Sequence, residues 1–225
     1  MYPKVIYFCN KTISSADIKS AQRWKELNPD YQLMLFGDDA IKTFLKDKYG
    51  ELFLQVFNFL EDGPIKADFW RICVLYMYGG IYSDIDNQPF VPLSTFVEDN
   101  IDFLTCTSYW EEKFKFNPNF IIANRGSPIL KKCIDWYIEK FNRRDKYDYW
   151  DWSIMNCFSQ VLVLENYVRE SSIHTLDNMK IQILKECPGE GGMYGNHYDA
   201  HTKYHNIRVF NNRLPNWNCD KHCFE

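Results

Sequence analysis

The stretch Gly79-Gly80-Ile81-Tyr82-Ser83-Asp84-Ile85-Asp86 constrains this chain most. It sets two carboxylates, with one residue between them, at the exit of a short β-type run and behind a glycine pair. A helix-patterned segment, Pro64-Ile65-Lys66-Ala67-Asp68-Phe69-Trp70-Arg71, leads into it. Acids at the end of a buried strand are costly unless positive charge pairs with them. A divalent cation holding a diphosphate meets that need. Aspartate oxygens suit Mg²⁺ or Mn²⁺, and such sites usually share the metal with phosphate oxygens. An Asp-x-Asp alone is common in surface turns; the helix and the glycines set this one apart.

The chain has 225 residues, enough for one α/β domain with a sizeable core. Within it, residues 1–90 read as one half that ends just past the acidic pair, and 91–225 as a second half with a C-terminal loop. At 46% hydrophobic residues the chain is globular. A formal net charge of -4 argues against a polyanion-binding surface, so no nucleic-acid partner is expected. Aromatic residues reach 17%, which suits either a ring-rich core or platforms for sugars and bases. The N-terminus shows no apolar leader with a cleavage signature, and no apolar run approaches the ~20 residues of a spanning helix. A cytoplasmic chain without a membrane span is expected. The eight cysteines then read as mostly buried, reduced thiols. Asn10-Lys11-Thr12 matches a glycosylation sequon, but a glycan there would obstruct the expected pocket, a conflict that a cytoplasmic location removes.

Strand and helix patterns alternate. Lys4 to Phe8 reads as a buried strand. Ile18, Ala21, Trp24 and Leu27 read as a helix face, capped by Ser14 or Ser15. Gln32 to Phe36 is a second strand; Asp38 or Asp39 then caps a helix, and another runs through Leu52 to Leu60. Gly63-Pro64 opens the key helix and Gly79 or Gly80 ends it. Ile81 to Ser83, Phe103 to Thr107, Phe120 to Ala123 and Ile181 to Leu184 read as further strands. Pro128 opens a helix through Phe141, and Trp152 to Tyr167 reads as helical. From Glu186 the tail reads as a long loop segment. The alternation predicts an α/β sandwich, whose ligands collect at the C-terminal ends of the strands, where Asp84 and Asp86 fall.

Other residues carry weaker signals. Asp68 and Arg71 share a helix face. They read either as an exposed ion pair or as a sugar-hydroxyl acceptor and a phosphate-binding fork. His197, His201 and His205 recur every four residues, as solvated histidines or as the source of one metal ligand, which would favour Mn²⁺. Cys219-x-x-His222-Cys223 lacks the second ligand pair of a zinc site. Tyr147-Asp148-Tyr149-Trp150-Asp151-Trp152 reads as core aromatics at a helix entry or as a sugar-binding wall. Asn119 either contacts a donor or satisfies a turn.

Taken together, Ala67-Asp68-x-x-Arg71 and Leu75-Tyr76-x-Tyr78-Gly79-Gly80-Ile81-Tyr82-x-Asp84-x-Asp86 resemble the DXD sugar-transferase family. That family contains fungal initiating mannosyltransferases and sphingolipid mannosyltransferases, and is similar in its core to large bacterial glucosylating toxins. Pro3-Lys4-Val5-Ile6 and Trp24-x-x-Leu27-Asn28-Pro29-Asp30-Tyr31 resemble its N-terminal motifs. The compact format is also similar to small glycosyltransferases of large DNA viruses of algae. The resemblance implies a GT-A fold with a mixed central sheet flanked by helices, a nucleotide-diphosphate sugar donor, and retention of anomeric configuration. It implies that Asp68 and Arg71 contact the donor sugar, that Tyr82 and Asp84 bind ribose or sugar, and that Asp86 holds the metal. Tyr198-Asp199-Ala200-His201 resembles the family's C-terminal metal-ligand motif, which selects His201. Asp151-x-x-x-x-Asn156 is similar to a sugar-contacting motif. The chain departs from the family where Asn10-Lys11 replaces Trp-Gly after the first strand, and where Thr202 replaces a second histidine.

The expectation is a transferase moving a hexose from a UDP-sugar, UDP-glucose foremost, to a carbohydrate or glycoprotein acceptor. Mn²⁺ or Mg²⁺ sits on Asp84, Asp86 and His201; Asp84, Asp86 and Arg71 carry the chemistry. The donor contacts are Phe8, Cys9, Asn10, Asp68, Arg71, Tyr82, Asp84, Asn119 and Asp151, with Phe8 to Asn10 reaching the base through backbone groups. The alternatives are a phosphohydrolase using Asp84 as nucleophile, or a non-catalytic nucleotide-sugar-binding module. Gln88 stands where such hydrolases usually have Thr or Val.

Overall fold

A computed structural model describes residues 2–109, 113–189 and 200–212. Strand β1 (Val5–Cys9) sends Ile6 and Phe8 into one hydrophobic layer and Tyr7 and Cys9 into the other, the period-two result of a strand buried on both faces. It pairs in parallel with β2 (Gln32–Phe36) and β3 (Gly80–Ser83). Helix α1 (Ser15–Leu27) connects β1 to β2; Ser14 and Asp17 close a reciprocal capping box at its start. Helices α2 (Asp38–Tyr49), α3 (Glu51–Phe59) and α4 (Gly63–Tyr78) connect β2 to β3. Pro64 occupies the first turn of α4, where its missing N–H costs nothing.

The chain continues through β4 (Gln88–Pro89), β5 (Phe103–Cys106), β6 (Phe120–Ala123), α5 (Pro128–Asn142) and α6 (Ile154–Val161). Then come β7 (Ser172–Leu176), β8 (Met179–Cys187), β9 (His201–Tyr204) and β10 (Ile207–Asn211). The strands form one mixed sheet in the order β2-β1-β3-β6-β5-β8-β9-β10-β4, with β7 also on β8. Strand β6 runs antiparallel to β3 and β5, β8 parallel to β5, and β9, β10 and β4 follow as antiparallel neighbours. The C-terminal ends of β1, β3, β5, β8 and β10 therefore meet the N-terminal ends of β6, β9 and β4 along one edge. This is the GT-A-type α/β sandwich, with the large core cluster on one face and the cluster around Trp24, Phe120 and Phe210 on the other.

Differences from the sequence reading lie mostly in the later half. The segment read as helical from Trp152 to Tyr167 holds only α6, which starts after the Ser153 cap and stops at Val161. The stretch read as loop from Glu186 contains the end of β8 and, further on, β9 and β10. Strand β9 buries Thr202 and Tyr204 and leaves His201 and Lys203 half-buried, so few apolar residues announce it. His201 and His205 thus sit in a strand and the turn after it rather than on a helix face; His197 lies outside the described residues. Gly37, not an aspartate, is the N-cap of α2, with Asp38 and Asp39 in its first turn. Cys9, Cys73, Cys106, Cys133 and Cys157 are buried free thiols and Cys187 is half-buried, while Cys219 and Cys223 lie outside the described residues. No helix among the described residues is long and apolar enough to cross a membrane.

Gly79 ends α4 with φ of 70°, and a Cβ there would lie 2.7 Å from the backbone nitrogen of Arg125. Gly79→Ala is expected to cost about 2–4 kcal/mol, the sum of a glycine-only backbone and an overpacked contact. Gly126 has φ of 72° but open space around it, so Gly126→Ala should cost only the conformational share, about 1 kcal/mol. Urea unfolding of both variants checks the order.

Candidate active site

Helix α4 carries a charged pair into the apolar core. Asp68 and Arg71 lie one turn apart and both are buried, unlike the exposed pair that their spacing alone allows. Arg71 Nη2 lies 3.0 Å from Asp68 Oδ1 and 3.2 Å from Asp84 Oδ1. Its Nη1 donates to the Pro118 carbonyl at 2.6 Å, its Nε donates to the Ala67 carbonyl, and its Cζ lies 4.3 Å from the centre of the Tyr82 ring. Burial opposes the charge on Arg71, but Asp84, Tyr82 and Asp68 outweigh it and push its pKa up, so the guanidinium stays protonated.

Tyr82 donates its hydroxyl to Asp84 Oδ1 at 2.8 Å, and the Cys9 thiol lies 3.6 Å from that hydroxyl. Burial pushes the Cys9 thiol up to about 12, which keeps it un-ionised and inert. The turn bearing both acids is pinned through its backbone. The Asp84 N–H donates to the Asn119 carbonyl at 2.8 Å, and Asn87 Nδ2 donates to the same carbonyl and to Ser83 Oγ. Trp24 Nε1 donates to the Asn87 carbonyl, Ser20 Oγ to the Ile85 carbonyl, and Gln88 Nε2 to Ser20 Oγ. Sequence reasoning misses Ser20 and Asn87 and this use of Trp24 and Gln88; most of these bonds end on backbone carbonyls, which leave no motif.

A cleft of about 550 Å³ opens here, lined on one side by Cys9, Asn10, Lys11 and Asp17 and on the other by Arg71, Tyr82, Asp84 and Asp86. Lys66 and Glu61 also reach it, again without a sequence signal. Asn10 is held by its Nδ2 donating to Asp17 Oδ1 at 3.1 Å.

The other expected contacts fall elsewhere. Phe8 is fully buried in the layer of Trp24, so only its backbone faces the strand exit. Asp68 does not line the cleft: its Oδ1 holds Arg71, and its Oδ2 accepts the Ile154 N–H of α6 at 3.0 Å. Asn119 is buried beneath the acidic turn. Asp151 is exposed in the turn before α6, where its N–H donates to Asp148 Oδ1. His201 opens β9 opposite Cys187 and Asn211. Of the aromatic run, Trp152 is core, Tyr147 donates to Asp62, and Trp150 stacks on Phe114 under the Lys113 ammonium.

The donor set fits a hard divalent cation. Asp84 is 32% exposed at its side chain and Asp86 lines the cleft. Asn87 Oδ1 and Asn119 Oδ1 are further oxygens in the same turn network, buried and without a partner among the described residues. No group of three His, Cys, Asp or Glu side chains gathers for a metal among the described residues, so His201 does not complete a trio with Asp84 and Asp86. Two carboxylates complemented by phosphate oxygens and water make a set typical of Mg²⁺ or Mn²⁺.

The chain is similar to known proteins in sequence and in fold. Residues 14–103 match the family described as glycosyltransferase sugar-binding region containing DXD motif. The initiation-specific alpha-1,6-mannosyltransferase of Saccharomyces cerevisiae is 37% identical over 130 residues, 50% of this chain and 27% of the relative. Its Candida albicans counterpart is 24% identical over 186 residues, 81% of this chain and 44% of the relative. The chain thus spans less than half the length of either. Among solved structures, the PaToxG glycosyltransferase superposes with a TM-score of 0.54 at 22% identity, covering 72% of this chain and 69% of that one. That likeness concerns the fold.

Burial pushes the Asp68 carboxyl from 3.8 up to about 6, although Arg71 and the Ile154 N–H pull it down. Between those two values the folded chain holds a proton that the unfolded chain has released. Stability from this group is therefore full below about pH 4 and is lost as pH rises through about 6. Asp68→Asn should abolish that part of the pH dependence, seen as a flatter plot of unfolding free energy against pH across this window.

Proposed function

Since residues 14–103 match the DXD-containing glycosyltransferase sugar-binding region, we propose that this protein is a metal-dependent hexosyltransferase using a nucleotide-diphosphate sugar. The observation that carries this reading is the acidic turn at the cleft, with Arg71 bound directly to Asp84. The nucleoside lies toward Cys9, Asn10 and Lys11, at the C-terminal end of β1, where backbone groups reach the base. The diphosphate lies toward Asp84 and Asp86, which hold Mn²⁺ or Mg²⁺. That ion neutralises charge on the departing nucleoside diphosphate when bound. Arg71 adds a fixed positive charge whose orientation is set before the donor arrives, so little reorganisation is needed at the transition state. Tyr82 orients Asp84 through its hydroxyl. Asp68 serves this chemistry by holding Arg71. The acceptor, a carbohydrate or glycoprotein hydroxyl, attacks from the face that the leaving group vacates, giving retention.

UDP-hexose remains the donor that the sequence reading favours. The curated relatives are named mannosyltransferases, which supports mannose as the second reading for the sugar. A thermal-shift panel of UDP-, GDP- and CMP-sugars with and without Mn²⁺ separates the two, because ligand binding to the folded state raises its apparent stability. Donor affinity should collapse in excess chelator, since Asp84 and Asp86 would then repel the diphosphate. Undiminished calorimetric binding without metal would refute the metal bridge.

Arg71→Ala should depress donor turnover by about 2–4 kcal/mol at the transition state, while free nucleoside diphosphate binds nearly as before. Steady-state kinetics beside calorimetry reads both quantities. Without acceptor, slow release of nucleoside diphosphate and free sugar is expected; inorganic phosphate as the direct product would mark a phosphohydrolase instead.

A further inference from the structure

One buried carboxylate at the same sheet edge lies outside the cleft. Glu186, near the end of β8, is 2% exposed. Its Oε1 accepts from Asn212 Nδ2 at 2.6 Å, from Asn117 Nδ2 at 2.7 Å and, more weakly, from Asn119 Nδ2 at 3.5 Å. Its Oε2 accepts the Tyr109 N–H at 3.1 Å, and its own N–H donates to Thr107 Oγ1. A carboxylate is an acceptor only, and converging amide donors are what allow one to stay buried.

The amides it gathers are not scattered. Asn117 and Asn119 flank Pro118, whose carbonyl accepts Arg71 Nη1 at 2.6 Å. The Asn119 carbonyl accepts the Asp84 N–H at 2.8 Å and Asn87 Nδ2 at 3.0 Å. The side chains of Asn117 and Asn119 are thus tied to Glu186, while the carbonyls of Pro118 and Asn119 are tied to the guanidinium and to the acidic turn. Asn212, just past β10, closes the network from the far side, and its Oδ1 accepts from Thr202 Oγ1.

Resting on the transferase reading, we propose that Glu186 is a positioning residue for the reaction. It fixes residues 117–119, and through the Pro118 and Asn119 carbonyls it sets the Arg71 guanidinium and the Asp84 backbone. A leucine at 186 keeps most of the volume but removes both acceptor oxygens, so the Asn117 and Asn119 amides lose their anchor.

The test is Glu186→Leu, read by residue-resolved amide exchange and by donor cleavage. Exchange at the Asp84 N–H should quicken roughly tenfold while the Ile6 and Phe8 amides of β1 stay unchanged. Turnover of whichever sugar nucleotide the wild type cleaves should fall roughly tenfold in kcat with donor KM within about twofold. Unchanged exchange at Asp84, acceleration shared equally by β1, or quickened exchange with unaltered kcat would each overturn the proposal. If Glu186→Leu fails to fold, Asn117→Ala, which removes one leg of the network, is judged by the same readings. A wild type that cleaves no sugar nucleotide defeats the transferase reading alone; the exchange pattern still decides whether Glu186 positions the turn.

Discussion

The site is organised around one guanidinium held between two carboxylates. Arg71 is buried, so it must find its hydrogen bonds inside the protein, and it finds them on three elements: Asp68 on its own helix, Asp84 beyond β3, and the Pro118 carbonyl before β6. One positive charge cannot balance Asp68, Asp84 and the neighbouring Asp86 together. Burial, with a smaller push from Asp84, raises the pKa of Asp68. On the proposed reading, a divalent cation and a donor diphosphate would complete the balance at the cleft. A buried charge cluster of this kind is poor evidence for stability but a strong constraint on geometry.

That geometry depends on a mixed sheet. In a purely parallel sheet only strand exits supply the ligand edge. Here β6 runs backwards between β3 and β5, so the loop that enters it lies beside the acids that leave β3. The carbonyls of residues 118 and 119 become available to Arg71 and Asp84 for that reason. The packing of Trp24 against Phe120 and Phe210, with its indole N–H on the Asn87 carbonyl, locks the same turn from the opposite core layer.

The first ninety or so residues were legible because local rules and tertiary structure agree there. Pro64 at the helix start, Gly79 at its end and the alternation in β1 each act at the position where the sequence places them. The pairing of Arg71 with Asp84 was not legible, because spacing gives Asp68 as its neighbour but says nothing of a strand that returns alongside. Asn119 was flagged as polar at a strand start, yet its contribution to the turn is a carbonyl, which every residue has. The later strands were misread because β9 and β10 carry polar residues on a half-buried face, and short alternation among Asn, His and Lys looks like loop. His201 was singled out by the likeness of Tyr198-Asp199-Ala200-His201 to a metal-ligand motif; the four-residue spacing added only a helical argument, which does not apply in a strand.

Strand β4 is only two residues long, and its strand partner is β10, with Gln88 opposite Asn211. During synthesis the acidic motif leaves the ribosome with its helix and with β1 and β2 already made, but the strand that backs Gln88 emerges much later. A nascent chain halted before β10 would carry the motif complete in sequence and unsupported in space. On the transferase reading, competence is therefore expected to arrive abruptly, once β10 has emerged, rather than to build gradually with chain length.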